Sequence, residues 1–218
     1  MGNKPDQYLT IKEPSISEFK EKGSKFIGYL FPVRKIIEFE GYIEELRKEH
    51  FKANHQCFAY RLNYENELYR FSDDGEPSGT AGKPIYGQII KNNLYDVACI
   101  SIRYFGGTKL GTSGLITSYR ASCAMAIDNA QIIEKTLSHI IQLKFDYSIM
   151  GNLMSALKQL DIPIIHKQLE ESGSLKIEIP KSLSQGKINL LKAKLLGVSL
   201  EQIEEKTSIA GLRIIFPD

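Results

Sequence analysis

The chain has 218 residues, of which 42% are hydrophobic and 25% charged, so it can bury an ordinary core in one or two domains. Its 28 basic and 26 acidic side chains leave a net charge of +2, which excludes the strong basic field of a dedicated nucleic-acid coat. No stretch approaches the roughly 18 apolar residues that span a bilayer.

Met1-Gly2-Asn3-Lys4-Pro5-Asp6 carries no apolar signal core, and position 6 lacks the Ser or Thr of a myristoylation motif. A soluble, cytoplasmic protein with no membrane partner is expected. Cys57, Cys99 and Cys123 lie far apart within apolar runs and form no CxxC pair. They read as buried small hydrophobes, not as a disulfide framework or a zinc knuckle.

Along the chain, Lys25 to Val33 reads as a strand of apolar, β-branched and aromatic residues. Ile36, Phe39, Ile43 and Leu46 recur at helical spacing, which predicts a helix over 36–50. Short strands follow at Gln56 to Leu62 and Leu68 to Phe71. A loop of turn formers runs from Ser72 to Lys83, and Pro84 suits the first turn of a helix reaching about Asn92. Asp96 to Tyr104 is the most strand-like segment of the chain. A second glycine-rich stretch, Phe105 to Gly114, leads into a helix expected to begin near Leu115.

The composition changes near Lys135. Strands are expected at His139 to Tyr147, Ile162 to Leu169 and Leu175 to Ile179, the last two joined across Glu171-Ser172-Gly173. Helices are expected at Ile149 to Leu160 and Leu183 to Leu196, with a last strand at Ser199 to Thr207. The order β-α-β-β-α-β is the split βαβ, ferredoxin-like pattern. An α+β protein of two domains, 1–135 and 136–218, is therefore expected.

Two loops could carry chemistry. Gly79-Thr80-Ala81-Gly82-Lys83-Pro84 contains a Gly-Lys pair, yet it has neither the upstream glycine nor the following Ser or Thr of a phosphate-binding Walker loop. Gly106 to Gly114 misses the dinucleotide spacing, and Asp73-Asp74-Gly75 lacks the alternating oxygens of an EF-hand. No standard cofactor motif fits, and no cofactor is expected. Glycines followed by a helix N-terminus can still present backbone N–H groups to an anion. The candidates are Gly106, Gly107, Lys109, Gly111, Thr112 and Ser113, with Arg61, Lys83 and Arg103 as cations. A tight turn that only solves a packing problem is the alternative. Asp73, Asp74 and Glu76 could hold a hard divalent cation, or they could cap turns and pair with neighbouring basic residues. His55 and Cys57 point to one face of a strand, but no orienting acid completes a nucleophile pair.

The segments Ser72-Asp73-Asp74-Gly75-Glu76-Pro77-Ser78-Gly79-Thr80-Ala81-Gly82-Lys83-Pro84 and Arg103-Tyr104-Phe105-Gly106-Gly107, followed by Leu110-Gly111-Thr112-Ser113-Gly114-Leu115, closely resemble the signature of the Impact/YigZ family. Lys25-Phe26-Ile27-Gly28 and His55-Gln56-Cys57-Phe58-Ala59-Tyr60-Arg61 fit it as well. The resemblance implies a first domain like domain 2 of ribosomal protein S5. It also implies a ferredoxin-like second domain, similar to one in ribosomal translocation factors, which the bacterial members carry. Eukaryotic members instead have an N-terminal interaction domain and restrain a starvation kinase on the translation machinery; that module is not recognisable here. The function expected is a non-enzymatic binding protein linked to translation regulation, with RNA or the ribosome as partner. A regulator that docks on a protein partner, or an undetected enzyme acting on a phosphorylated substrate, are the alternatives.

Overall fold

The computed structural model describes residues 6–170, 173–204 and 206–217, which divide into two compact units. One spans Tyr8–Lys135, and the other holds the chain from Thr136 onward with the residues up to Gln7. The segment before Asp6, and residues 171 and 172 of the expected hairpin turn, lie outside the described residues.

In the first unit, β1 (Gln7–Ile11) pairs with β7 (Ile132–Thr136) in a two-stranded sheet. The main sheet takes β2 (Ser15–Glu21), β3 (Ser24–Pro32), β4 (His55–Leu62), β5 (Leu68–Ser72) and β6 (Val97–Tyr104). Its order is β2-β3-β6-β4-β5, antiparallel throughout. The central β6 is covered on both faces, which explains its continuous apolar run. Ala98, Ile100 and Ile102 meet Phe39, Ile43 and Leu46 of α1 (Ile36–Glu49) on one side. On the other, Val97 and Cys99 face α2 (Gly82–Lys91) and α3 (Gly111–Asp128), which contribute Ile85, Ile89, Leu115, Tyr119 and Cys123.

Two differences from the sequence reading in this unit have clear causes. Strand β2 was not expected, because its buried positions are Ser15 and Ser17 while Ile16 stands 55% exposed. The serine hydroxyls donate to the α3 carbonyls of Ala126, at 2.6 Å, and Ser122, at 2.8 Å. Helix α3 begins at Gly111 and not near Leu115, so the whole Gly111-Thr112-Ser113-Gly114 run is its first turn.

The second unit runs β8 (Ser138–Phe145), α4 (Met150–Gln159), β9 (Ile164–Leu169), β10 (Gly173–Pro180), α5 (Ser184–Leu196) and β11 (Leu212–Ile215). Its sheet has the order β11-β8-β10-β9, antiparallel throughout. Ile141, Leu143, Phe145, Leu175, Ile177 and Ile179 form a core with Leu153, Leu157, Ile188 and Leu191 of the helices. The last strand is β11, and among the described residues of the range 199–207, residue 205 lying outside them, there is no strand. There the Ser199 N–H donates to the Gln202 side chain at 3.1 Å in a capping box, which holds a single 3-10 turn. Among the described residues no helix is long and apolar enough to cross a membrane.

Candidate functional site

The first loop is organised by one carboxylate. Asp73 Oδ1 accepts the N–H groups of Ala81, at 3.0 Å, and Gly82, at 2.8 Å, while Oδ2 accepts that of Gly79 at 2.8 Å. Ala81 precedes α2 and has no side-chain oxygen, so Asp73 caps this helix from a distance. That is why α2 starts at Gly82, ahead of Pro84. Asp74 Oδ2 accepts the Gln56 N–H at 2.7 Å, and its carbonyl oxygen lies 2.8 Å from His55 Nδ1.

Glu76 turns inward. Its Oε1 accepts from Arg103 Nη1 at 2.6 Å and from the Tyr119 hydroxyl at 2.8 Å, and lies 3.8 Å from His55 Nε2. The Glu76 and Arg103 side chains are only 4% and 6% exposed. Burial, and next the neighbouring Cys57, push the Tyr119 hydroxyl pKa upward, so it remains a neutral donor to the carboxylate. The three acids thus have separate backbone or cationic partners and do not converge. Among the described residues no group of three His, Cys, Asp or Glu side chains is arranged to hold a metal ion.

Arg103 also reaches Ser24 Oγ at 3.3 Å, and the same hydroxyl accepts the Gly106 N–H at 3.2 Å. Asn54 Oδ1 accepts the Phe105 N–H at 2.8 Å. The two signature loops are therefore clasped together, with the Glu76–Arg103 pair at the join. Arg103 was expected at the open edge of an anion site; it is buried there against its carboxylate instead.

Gly106 sits against the β2–β3 hairpin. Lys22 and Gly23, both with positive φ, make the two-residue turn, and a Cβ on Gly106 would fall 1.8 Å from the Gly23 carbonyl carbon. Gly107 and Gly111 have φ of +84 and +71 with open space around them. Thr108, Lys109, Thr112 and Ser113 are exposed beside them, as is Lys83 on the first turn of α2.

Arg61 is not brought to this place. In the β4–β6 ladder it pairs with Val97, while His55 pairs with Arg103, so it lies roughly 20 Å further along the strand. It is buried, donates to Glu67 Oε2 at 2.7 Å, and stacks 3.7 Å from the Tyr95 ring centroid. The participants that the sequence reading missed are Ser24, Asn54 and Tyr119. Only Ser24 had a local signal, the Lys22-Gly23 turn before it.

Cys57 donates to the Asp73 carbonyl oxygen at 2.9 Å, and burial pushes its thiol pKa up, against the needs of a nucleophile. Cys57, Cys99 and Cys123 are all buried free thiols. Titration with Ellman's reagent should find almost no reactive thiol in the native protein and all three in urea. Rapid labelling of the native chain would contradict this packing.

The Impact N-terminal domain family matches residues 22–127, a range that contains both clasped loops. IMPACT family member YvyE of Bacillus subtilis is 33% identical over 171 residues, 78% of each chain. IMPACT family member YigZ of Escherichia coli is 30% identical over 73% of this chain and 79% of its own length. A crystal structure of a hypothetical protein superimposes with a TM-score of 0.65 at 26% identity, covering 96% of this chain and 97% of that one. The mixed α/β architecture is thus shared along nearly the whole sequence.

Proposed function

The chain belongs to the Impact family, and from that premise we propose that it acts by binding RNA or the ribosome, in the cytoplasm and in the service of translation regulation, and not by catalysis. One observation carries the reading: Glu76 and Arg103 of the signature are spent on holding the two loops together, so what remains outside is a recognition surface. That surface offers glycine backbone, the hydroxyls of Thr108, Thr112 and Ser113, and the ammonium groups of Lys83 and Lys109. Donors of this kind suit phosphate oxygens. In the same proposal the first unit is S5 domain-2-like and the second ferredoxin-like. The strand order β11-β8-β10-β9 supports the second assignment.

A second reading, docking on a regulatory protein, is favoured by Phe105 and Phe51, which stand 45% and 73% exposed.

Fluorescence anisotropy of a labelled single-stranded RNA against salt tests the first reading. Lys83→Glu combined with Lys109→Glu should flatten the log affinity–log salt slope by about 1.4, from two contacts at roughly 0.7 each. Arg61 and Arg103 are unsuited to the test, since both are buried and paired. An affinity that ignores salt would sink an electrostatic RNA contact. Loss of a crosslinked protein partner on Phe105→Ala, with RNA affinity unchanged, would favour the second reading.

A further inference from the structure

We propose that the open face of the β11-β8-β10-β9 sheet is a contact surface for the RNA sugar–phosphate backbone. This rests on the RNA reading above and assigns a further surface to it, in the second unit.

Among the described residues of the second unit, the helices pack on one face of the sheet. Alternation along β8 buries Ile141, Leu143 and Phe145 against the helices and turns Ile140, Gln142 and Lys144 outward. Along β10 the outward residues are Ser174, Lys176 and Glu178. The register sets Arg213 opposite Lys144, Lys144 opposite Ser174, and Ser174 opposite Gln168. In the next row Ile215 faces Gln142, Gln142 faces Lys176, and Lys176 faces His166. With strands about 4.8 Å apart, Arg213, Lys144, Lys176 and His166 form a diagonal band about 14 Å wide across all four strands.

This band is costly to an isolated chain. Like charges directly opposite one another destabilise a sheet, and Arg213 and Lys144 are such a pair. Among the described residues no carboxylate lies within ion-pair distance of Lys144, Lys176 or Arg213. Of the acids described at this face, Glu178 stands opposite Ile140, and Glu170, just past β9, accepts the Gln168 amide at 2.9 Å. A polyanion supplies the missing countercharge.

The rest of the face identifies the kind of polyanion. Gln142, Gln168, Ser174 and His166 sit among the cations, and amide, hydroxyl and imidazole groups bond phosphate and sugar oxygens. Ile140 and Ile215 are its apolar members. A protein interface would centre on aromatic anchors, and a membrane-surface element would bury a broad apolar strip. With one imidazole, His166, and no Phe, Tyr or Trp placed on it by the register, the face tracks the backbone with little sequence preference.

The test uses the full chain and fluorescein-labelled oligouridine, titrated by anisotropy at several salt concentrations. Lys144→Glu, Lys176→Glu and Arg213→Glu together should weaken binding at low salt by at least about tenfold and flatten the slope by about 2. The corresponding three glutamine substitutions should weaken it less, and they carry the test if the charge-reversed chain fails to fold. Wild-type affinity and slope in a folded sheet variant, while the Lys83 and Lys109 reversal weakens binding, would overturn the sheet face alone. No RNA binding by the wild-type chain would overturn the loop reading with it. Phosphatidylserine vesicles and polyglutamate are the control probes. Capture by either that the sheet variant abolishes, with RNA affinity unaffected, would also overturn the assignment.

Discussion

Glu76→Ala is expected to lower the unfolding free energy by about 3–5 kcal/mol, because it strands the Arg103 guanidinium as a buried, uncompensated charge. The pair is nearly sealed from water, and the Glu76 carboxylate also receives the Tyr119 hydroxyl. Removing that hydroxyl alone, in Tyr119→Phe, should cost less, about 1.5–3 kcal/mol for a hydrogen bond to a charged group. Replacing both charges, Glu76→Met with Arg103→Met, should restore much of what Glu76→Ala loses, since apolar residues of similar volume often substitute for a buried pair without net cost. Urea midpoints for the four chains decide the matter. A loss under about 1 kcal/mol for Glu76→Ala would mean that Arg103 finds another route to water or to an acid.

The second large effect is expected at Gly106. An alanine Cβ there would lie 1.8 Å from the Gly23 carbonyl carbon, 2.0 Å from its oxygen and 2.3 Å from the Ser24 nitrogen. All three are main-chain atoms, so no side chain can rotate away. The loop must move, and with it go the Gly106 N–H bond to Ser24 and the Phe105 N–H bond to Asn54. A loss of about 3 kcal/mol or more is expected, at the top of the range for overpacking. Gly107→Ala meets nothing within 4 Å and carries only its positive φ, which costs about 1–2 kcal/mol. Equal urea midpoints for the two variants would show that the β2–β3 turn yields, and that its contact with Gly106 is not tight in solution. The same comparison bears on the glycine-loop question left open by the sequence. Gly106 serves packing, whereas Gly107 and Gly111 shape an exposed turn.

Elements with a strong local pattern were legible. Helix α1 and strands β4 and β6 occur within a residue or so of their expected limits, because their apolar spacing reflects the face each one buries. Strand β2 was illegible for the converse reason: its fully buried positions are serines, with Phe19 on the same side only partly buried, and its exposed side contains isoleucine. Its burial works through hydrogen bonds to α3 carbonyls more than a hundred residues away. Strand β11 is short and half-buried, and its register with β8 defines it more than any pattern of its own.

The sequence by itself determined the alternation of elements, the change of character near Lys135, the family, and the two loops in which its unusual residues gather. It did not decide what those residues do. Arg103 can be a phosphate cation or half of a buried pair, and Asp73 a metal ligand or a helix cap, with no change in the letters around them. Glu76 meets Arg103 across 27 residues and Tyr119 across 43. Such meetings depend on which strand lies beside which and which helix covers the sheet. Only the tertiary structure sets these, since a charge buried in a low-dielectric interior is tolerated only where a partner is brought to it.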